Sequence, residues 1–121
     1  MEFNSDRKRM SIILKDPKDG LYKLYCKGAD SVIKERLSHK LLNQEELDST
    51  DSFVRRASLK GLRSLLFAMK VLDKEEVKQF LNDCKDAESD IKNRLDKLDK
   101  IYDQFERGLF LIGATVVEDK L

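Results

Sequence analysis

The segment Lys15-Asp16-Pro17-Lys18-Asp19-Gly20 holds the only proline among 121 residues, and it limits the possible folds more than any other feature. Proline presets φ for a turn, and the glycine four residues from Asp16 reaches positive φ without strain. On one side lies Met10 to Leu14, a mostly apolar run with two adjacent isoleucines. On the other, Leu21 to Cys26 alternates loosely between apolar and polar residues. Turn chemistry between two such runs predicts an antiparallel hairpin. Gly28 is then expected to break the second strand, and Asp30 or Ser31 to cap a short helix reaching about Leu37.

Further along, Asn43 reads as the cap of a helix from about Gln44 to Lys60, with Glu46 in the capping-box position and Gly61 as the stop. Arg63 to Val71 returns to an apolar run and predicts a strand. From Asp73 to about Arg107 the pattern is helical: Val77, Cys84, Ile91, Leu98 and Phe105 recur every seven residues. Asp73 and Ser89 are candidate caps, so two helices meeting near residues 88–90 are expected. Gly108 closes the second, and Leu109 to Val117 reads as a buried strand by length and β-branching. The order β-β-α-α-β-α-α-β predicts a single α/β (α+β) domain with helices packed on a sheet. No low-complexity linker or internal repeat divides it.

Charge narrows the function classes. Charged residues make up 39% of the chain, against roughly 25% in an average soluble protein. The net charge is only +1, which argues against a general polyanion binder. The distribution is uneven: residues 1–40 carry ten Lys and Arg against six Asp and Glu, while residues 73–121 carry nine against thirteen. The basic N-terminal third suits an anionic ligand. Cys26 and Cys84 match no zinc or redox spacing and make no disulfide framework. MEFNSDRKRM lacks the pattern of a signal peptide, and Leu109 to Val117 is too short to cross a bilayer. A reduced, cytosolic setting is expected.

Four segments, in order, carry a family resemblance: FNSDRKRMS (Phe3 to Ser11), KGADSVIKERL (Lys27 to Leu37), GLRSLLFAMKVLD (Gly61 to Asp73) and GLFLIGATVVEDKL (Gly108 to Leu121). Together they resemble the nucleotide-binding domain of P-type ATPases. Asp30, where ion-pumping members typically have Pro, resembles the phospholipid-flippase (type IV) subfamily. The resemblance implies an antiparallel sheet flanked by helices and a site for ATP. Phe3 matches the aromatic that stacks on adenine, and Lys8 and Met10 match positions lining the same pocket. Lys27 and Gly28 match the element at the back of the adenine site, and Arg63 the arginine that reaches the phosphates. Residues 113–121 match a hinge leading to the phosphorylation domain. The family's phosphorylated aspartate motif (DKTG), its TGE-type loop and its membrane helices do not occur here. The early strands of the family's domain, with an acidic residue contacting adenine, would lie upstream of Phe3. The resemblance therefore implies an N-terminally trimmed domain that binds ATP without catalysing its hydrolysis. Mg²⁺ would act in the parent enzyme, at the cytosolic face of a membrane. Partners would be the phosphorylation and actuator domains of the same parent chain, with no nucleic acid, and the fragment would be a soluble monomer.

Each signal has a plainer reading beside it. Arg7, Lys8 and Arg9 could form a solvated charge run, and strand alternation lets either Lys8 alone or the two arginines face a ligand. Lys27 could be a surface lysine before a helix, and Arg63 a surface ion-pair partner. Arg55-Arg56-Ala57-Ser58 matches a basophilic kinase site. His39, the only histidine, lies in a polar segment and suggests no metal or acid–base role. Cys84 reads as core; Cys26 has a neighbouring cation that favours thiolate, against strand burial that favours an inert thiol. If the heptad positions from Val77 to Phe105 were continuous, they would form a coiled-coil seam and make the chain a protein-interaction module. A single-stranded RNA binder using Phe3, Tyr22 and Tyr25 is a third reading.

Overall fold

The computed structural model describes residues 1–40 and 43–118. Its elements are β1 (Arg9–Lys15), β2 (Tyr22–Ala29), α1 (Asp30–Lys34), α2 (Gln44–Leu59), β3 (Arg63–Leu72), α3 (Lys74–Glu88), α4 (Arg94–Phe105) and β4 (Phe110–Val117). The order is the one the sequence predicts. All four strands form one antiparallel sheet in the order β1-β2-β3-β4.

The hairpin turn closes as its residues dictate. Gly20 adopts φ 72°, its N–H donates to the Asp16 carbonyl at 2.8 Å, and Asp16 N–H donates to Leu21 at 2.8 Å. The Asp16 and Asp19 carboxylates accept from Lys18 N–H and Leu21 N–H, both at 2.9 Å. Lys23 Nζ then donates to both carboxylates, at 2.8 and 2.9 Å, tying turn to strand.

Helix ends follow equally local rules. Asn43 Oδ1 caps α2 by accepting from Glu45 N–H and Glu46 N–H. At α3 the cap is reciprocal: Asp73 Oδ1 accepts from Glu76 N–H at 2.8 Å and Glu76 Oε1 from Asp73 N–H at 3.4 Å. Gly61 (φ 75°) and Gly108 (φ 69°) turn the chain out of the helical segments and into β3 and β4.

The strand members of the core are Leu24, Cys26, Leu66, Ala68 and Leu72, with Ile13, Tyr22, Leu111 and Ala114 packed against them. The cross-strand register puts all of these on one face. The helices contribute Ile33 from α1, Leu47 and Val54 from α2, Val77 from α3 and Phe105 from α4 to the same cluster. All four helices therefore gather on one side, and the fold is a two-layer α+β sandwich with an open sheet face.

Five local expectations change. Gly28 does not break β2, which continues to Ala29, because a neighbouring backbone packs against the glycine as described below. Asp30 lies inside α1 rather than capping it, with Ala29 at the cap position, and the helix ends at Lys34. Leu37 instead bridges to Leu109, and Ser38 N–H donates to the Leu109 carbonyl at 2.8 Å. Ser89 terminates α3, and α4 starts only at Arg94 after Asn93. Strand β4 is half-exposed rather than buried, because one of its faces looks onto the uncovered side. Ile91 falls in the linker between α3 and α4 at 91% exposure, so the heptad seam is interrupted there. The seam residues Val77 and Phe105 on either side serve the core instead, and Phe105 stacks on Phe80 with ring centroids 4.1 Å apart. Of the expected hinge at 113–121, residues 113–117 complete β4, and 119–121 lie outside the described residues.

Candidate functional site

On the open face the antiparallel register builds rows of side chains. One row is Ile12, Tyr25, Met69 and Phe110. The next is Met10, Lys27, Phe67 and Gly113. Lys8, Ala29, Leu65 and Thr115 follow, since Ala29 N–H donates to the Lys8 carbonyl at 3.1 Å and extends the ladder. Arg63 stands beside Val117 at the end. Between the first two rows lies a concavity of about 230 Å³, lined by Met10, Ile12, Tyr25, Lys27, Phe67 and Ile112 among others. Ile112 reaches it because β4 bulges: Phe67 pairs with Gly113 but Ala68 pairs with Leu111, leaving Ile112 as the extra residue. Gly113 adds no side chain beside Phe67, and a Cβ built there meets nothing within 4 Å.

Toward Arg63 this shelf changes character. The apolar and aromatic rows give way to small residues, Ala29 and Gly113, and then to the exposed cations Lys8 and Arg63. From Phe67 to Arg63 is four residues along β3, about 13 Å at strand rise. That is on the order of the span from base to terminal phosphate in an extended nucleotide.

The structure distributes the predicted residues as follows. Met10 and Lys27 are directly paired and both line the concavity. Lys8 is exposed, one residue before β1, at φ 54°; this left-handed conformation lets the chain leave the Asn4–Arg7 turn and enter the sheet. Phe3, at 59% exposure, precedes that turn and is not among the residues lining the concavity. Arg63 begins β3 at the far end. Gly28 belongs to the opposite face: a Cβ there would sit 2.6 Å from the Lys8 carbonyl oxygen and 2.7 Å from Arg9 Cβ. Its missing side chain lets the Lys8–Arg9 backbone lie flat against β2.

The two arginines of the basic triplet do not face the shelf. Arg7 and Arg9 are buried under the helices against Glu106, itself 0% exposed. Arg7 Nη1 and Nη2 donate to Glu106 Oε1 and Oε2 at 2.9 and 2.8 Å, a bidentate pair. Ser11 Oγ donates to Oε2 at 2.5 Å, and Arg9 Nε to Oε1 at 3.3 Å. One turn earlier on α4, Asp103 receives Arg9, Arg36 and Arg107. Burial pushes the Glu106 carboxyl up, but the bonds from Arg7 and Ser11 and the charges of Arg7 and Arg9 outweigh it, so it titrates below the usual carboxylate range. This cluster fixes the loop that carries Phe3 and Lys8: Arg7 Nε also donates to the Glu2 carbonyl at 3.0 Å, and Arg7 N–H to Asn4 Oδ1 at 2.6 Å.

Cys26, on the buried face, has its thiol pushed up to about 11 by burial and by the Glu106 charge. It is a packed thiol, and the nearby Lys27, on the opposite face, does not activate it. Ser11 is likewise consumed by Glu106. Among the described residues no group of three or more His, Cys, Asp or Glu could hold a metal ion, and no helix is long and apolar enough to cross a membrane.

Of the aromatics named in the third reading, Tyr25 lines the concavity and Tyr22 packs against the core on the other face; sequence reasoning missed Phe67, Ile12 and Ile112 on the shelf, and Glu106 and Asp103 beneath it. Strand alternation from Met10 and Lys27 could have found Ile12 and Phe67. Nothing local marks Glu106, which reads as one of many acids on a charged helix.

The fold is a sheet with helices on one side and, on the other, an apolar shelf running into cations. The comparisons with known proteins give it a family. The family described as P-type ATPase, cytoplasmic domain N, matches residues 1–121, and the chain belongs to it. It is 44% identical over its whole length to phospholipid-transporting ATPase IC of Mus musculus, of which it covers 9%. It is 40% identical over its whole length to phospholipid-transporting ATPase ID of Homo sapiens, covering 10%. Against phospholipid-transporting ATPase DRS2 of Saccharomyces cerevisiae it is 42% identical over 99% of the chain, covering 9%. The chain thus spans about a tenth of the length of these relatives.

Proposed function

We propose that this chain binds ATP for a phospholipid-translocating P-type ATPase, at the cytosolic face of a membrane, and presents the γ-phosphate to a separate phosphorylation domain. The observation that carries the reading is the gradient along the open face, from an aromatic and apolar shelf at Lys27 to the cations Lys8 and Arg63. Adenine would lie against Met10, Lys27 and Phe67, with Phe3 closing over it from the loop that Arg7 holds. Stacking on an aromatic contributes about 1–3 kcal/mol per base. The phosphates would extend toward Arg63, whose planar fork suits their oxygens. Mg²⁺ would arrive with the phosphates and draw its remaining ligands from the phosphorylation domain. Residues 113–121 would lead back to that domain, and the actuator domain would meet the assembled pair.

The shelf is open and its contacts are few. Affinity in isolation should be weak, on the order of 0.1 mM or weaker, about −5.5 kcal/mol. Domain closure would supply the rest. The test is an ATP titration followed by backbone NMR on the wild type and on Lys27→Ala. Saturable shifts at Phe3, Lys8, Lys27 and Arg63, weakened about tenfold in the variant, are expected for loss of one charged contact. Absence of shifts at millimolar ATP would sink the reading for this chain.

A further inference from the structure

We propose that Ser58 is a phosphorylation site for a basophilic serine/threonine kinase, and that its phosphate loosens the joint between α2 and β3. The recognition register is Arg55-Arg56-Ala57-Ser58-Leu59. Arg55, Arg56 and Ser58 are exposed, and Leu59 is 83% exposed. Neither Arg55 nor Arg56 has an ion-pair partner among the described residues. Only Ala57 is turned into the core. A kinase that reads two arginines with carboxylates and the following residue with an apolar pocket would find every group it needs unoccupied.

Kinases take their substrates extended, so the last turn of α2 has to open. That turn is the easiest part of the helix to release, because Ala57 is its only buried side chain and the residues that follow are exposed. In the open segment, Ser58 Oγ attacks the γ-phosphorus of kinase-bound ATP. The bond to the bridging oxygen of ADP breaks, ADP leaves, and the serine proton passes to the kinase's catalytic carboxylate.

The consequence follows from the hydrogen bonds at the helix end. Lys60 N–H donates to the Ala57 carbonyl at 3.1 Å, Gly61 N–H to Ser58 at 3.0 Å and Leu62 N–H to Ala57 at 2.9 Å. These bonds set the turn from which Arg63 enters β3. A dianion placed there opposes the negative end of the helix dipole and weakens them.

The experiment treats the folded chain with the catalytic subunit of the cAMP-dependent protein kinase and Mg-ATP, and reads intact mass and the modified residue by fragmentation. One phosphate on Ser58 is expected, absent in Ser58→Ala and formed about tenfold more slowly in Arg56→Gln, as for loss of a charge-assisted bond. Amide exchange at Gly61 and Leu62 in the phosphorylated chain should be roughly two- to fivefold faster. A peptide of residues 53–61 runs in parallel. Phosphate on the peptide with none on the folded chain, on neither, or only at another serine would overturn the proposal. Unchanged exchange at Gly61 and Leu62 would overturn the second half. Neither readout depends on ATP occupying the shelf, so the proposal stands or falls apart from the nucleotide reading.

Discussion

Strand β1 reads Arg9, Met10, Ser11, Ile12, and its pleat sends the first and third under the helices and the second and fourth onto the open shelf. Beneath the helices, the polar groups around Glu106 are paired: each oxygen of Glu106 is shared between donors, and Ser11 and both arginines are committed to it. On the shelf the reverse holds, with apolar side chains half-exposed and cations presented to solvent at one end. The buried side commits its charged groups to one another, and the open side leaves its side chains to solvent. Substitutions on the two faces should therefore separate stability from binding.

Removing the carboxylate at Glu106 should have the largest effect. Glu106→Ala leaves the Arg7 and Arg9 charges buried without their partner, which costs about 3–5 kcal/mol. Chemical denaturation measures it, and a loss under 1 kcal/mol would mean that water or Asp103 takes over the two guanidinium groups. The domain is small, so the variant could be largely unfolded; Glu106→Gln keeps the shape and should fall between.

Gly28→Ala comes next. Its Cβ would press on the Lys8 carbonyl and on Arg9, both fixed in the ladder, and overpacking of this kind costs about 1–3 kcal/mol. If the expense instead appears as weaker ATP binding with stability untouched, the glycine serves the shelf and not the buried face.

Acid should act on the buried face through Glu106. The folded Glu106 titrates below its ordinary 4.5, so the unfolded chain binds the proton more readily. The stabilisation is complete above about 4.5 and is lost as pH falls through the folded value. In Glu106→Gln that part of the acid limb should flatten, and a wild-type profile in the variant would shift the effect to the other carboxylates held below their usual range, Asp103, Asp16, Asp19 and Asp90.

How much of this contrast was legible in the sequence depends on the range of the physics involved. Pro17 and Gly20 announced the hairpin, Asn43 and Asp73 announced two helix caps, and Gly61 and Gly108 the exits, because each acts within four residues of itself. The Met10–Lys27 pair was legible once the hairpin and the family resemblance placed both on one site. Ser89 misled because a serine satisfies a helix end as well as a start, here donating to the Asp86 carbonyl at 2.6 Å. Arg7 and Arg9 were the sharper failure. Charge runs are usually solvated, and only a partner 99 residues away makes these two a core element. Three consecutive charges leading into a pleated strand allowed both assignments, and the sequence carried no local sign of which face would be covered.

The two cysteines give the smallest test of the same contrast. Cys26 sits on the buried face, 2% exposed, with its thiol pushed up to about 11, while Cys84 on α3 is only partly covered and is also shifted upward by burial. Thiolate is the reactive form, so at pH 8 neither should label quickly, and the difference between them should come from access. A maleimide reagent should modify Cys84 first, with Cys26 reacting only as fast as the sheet opens. Denaturant below the unfolding midpoint should speed Cys26 more than Cys84. Equal rates in the folded protein would mean that the covered face admits reagent, and that the saturation around Glu106 is looser than its hydrogen bonds imply.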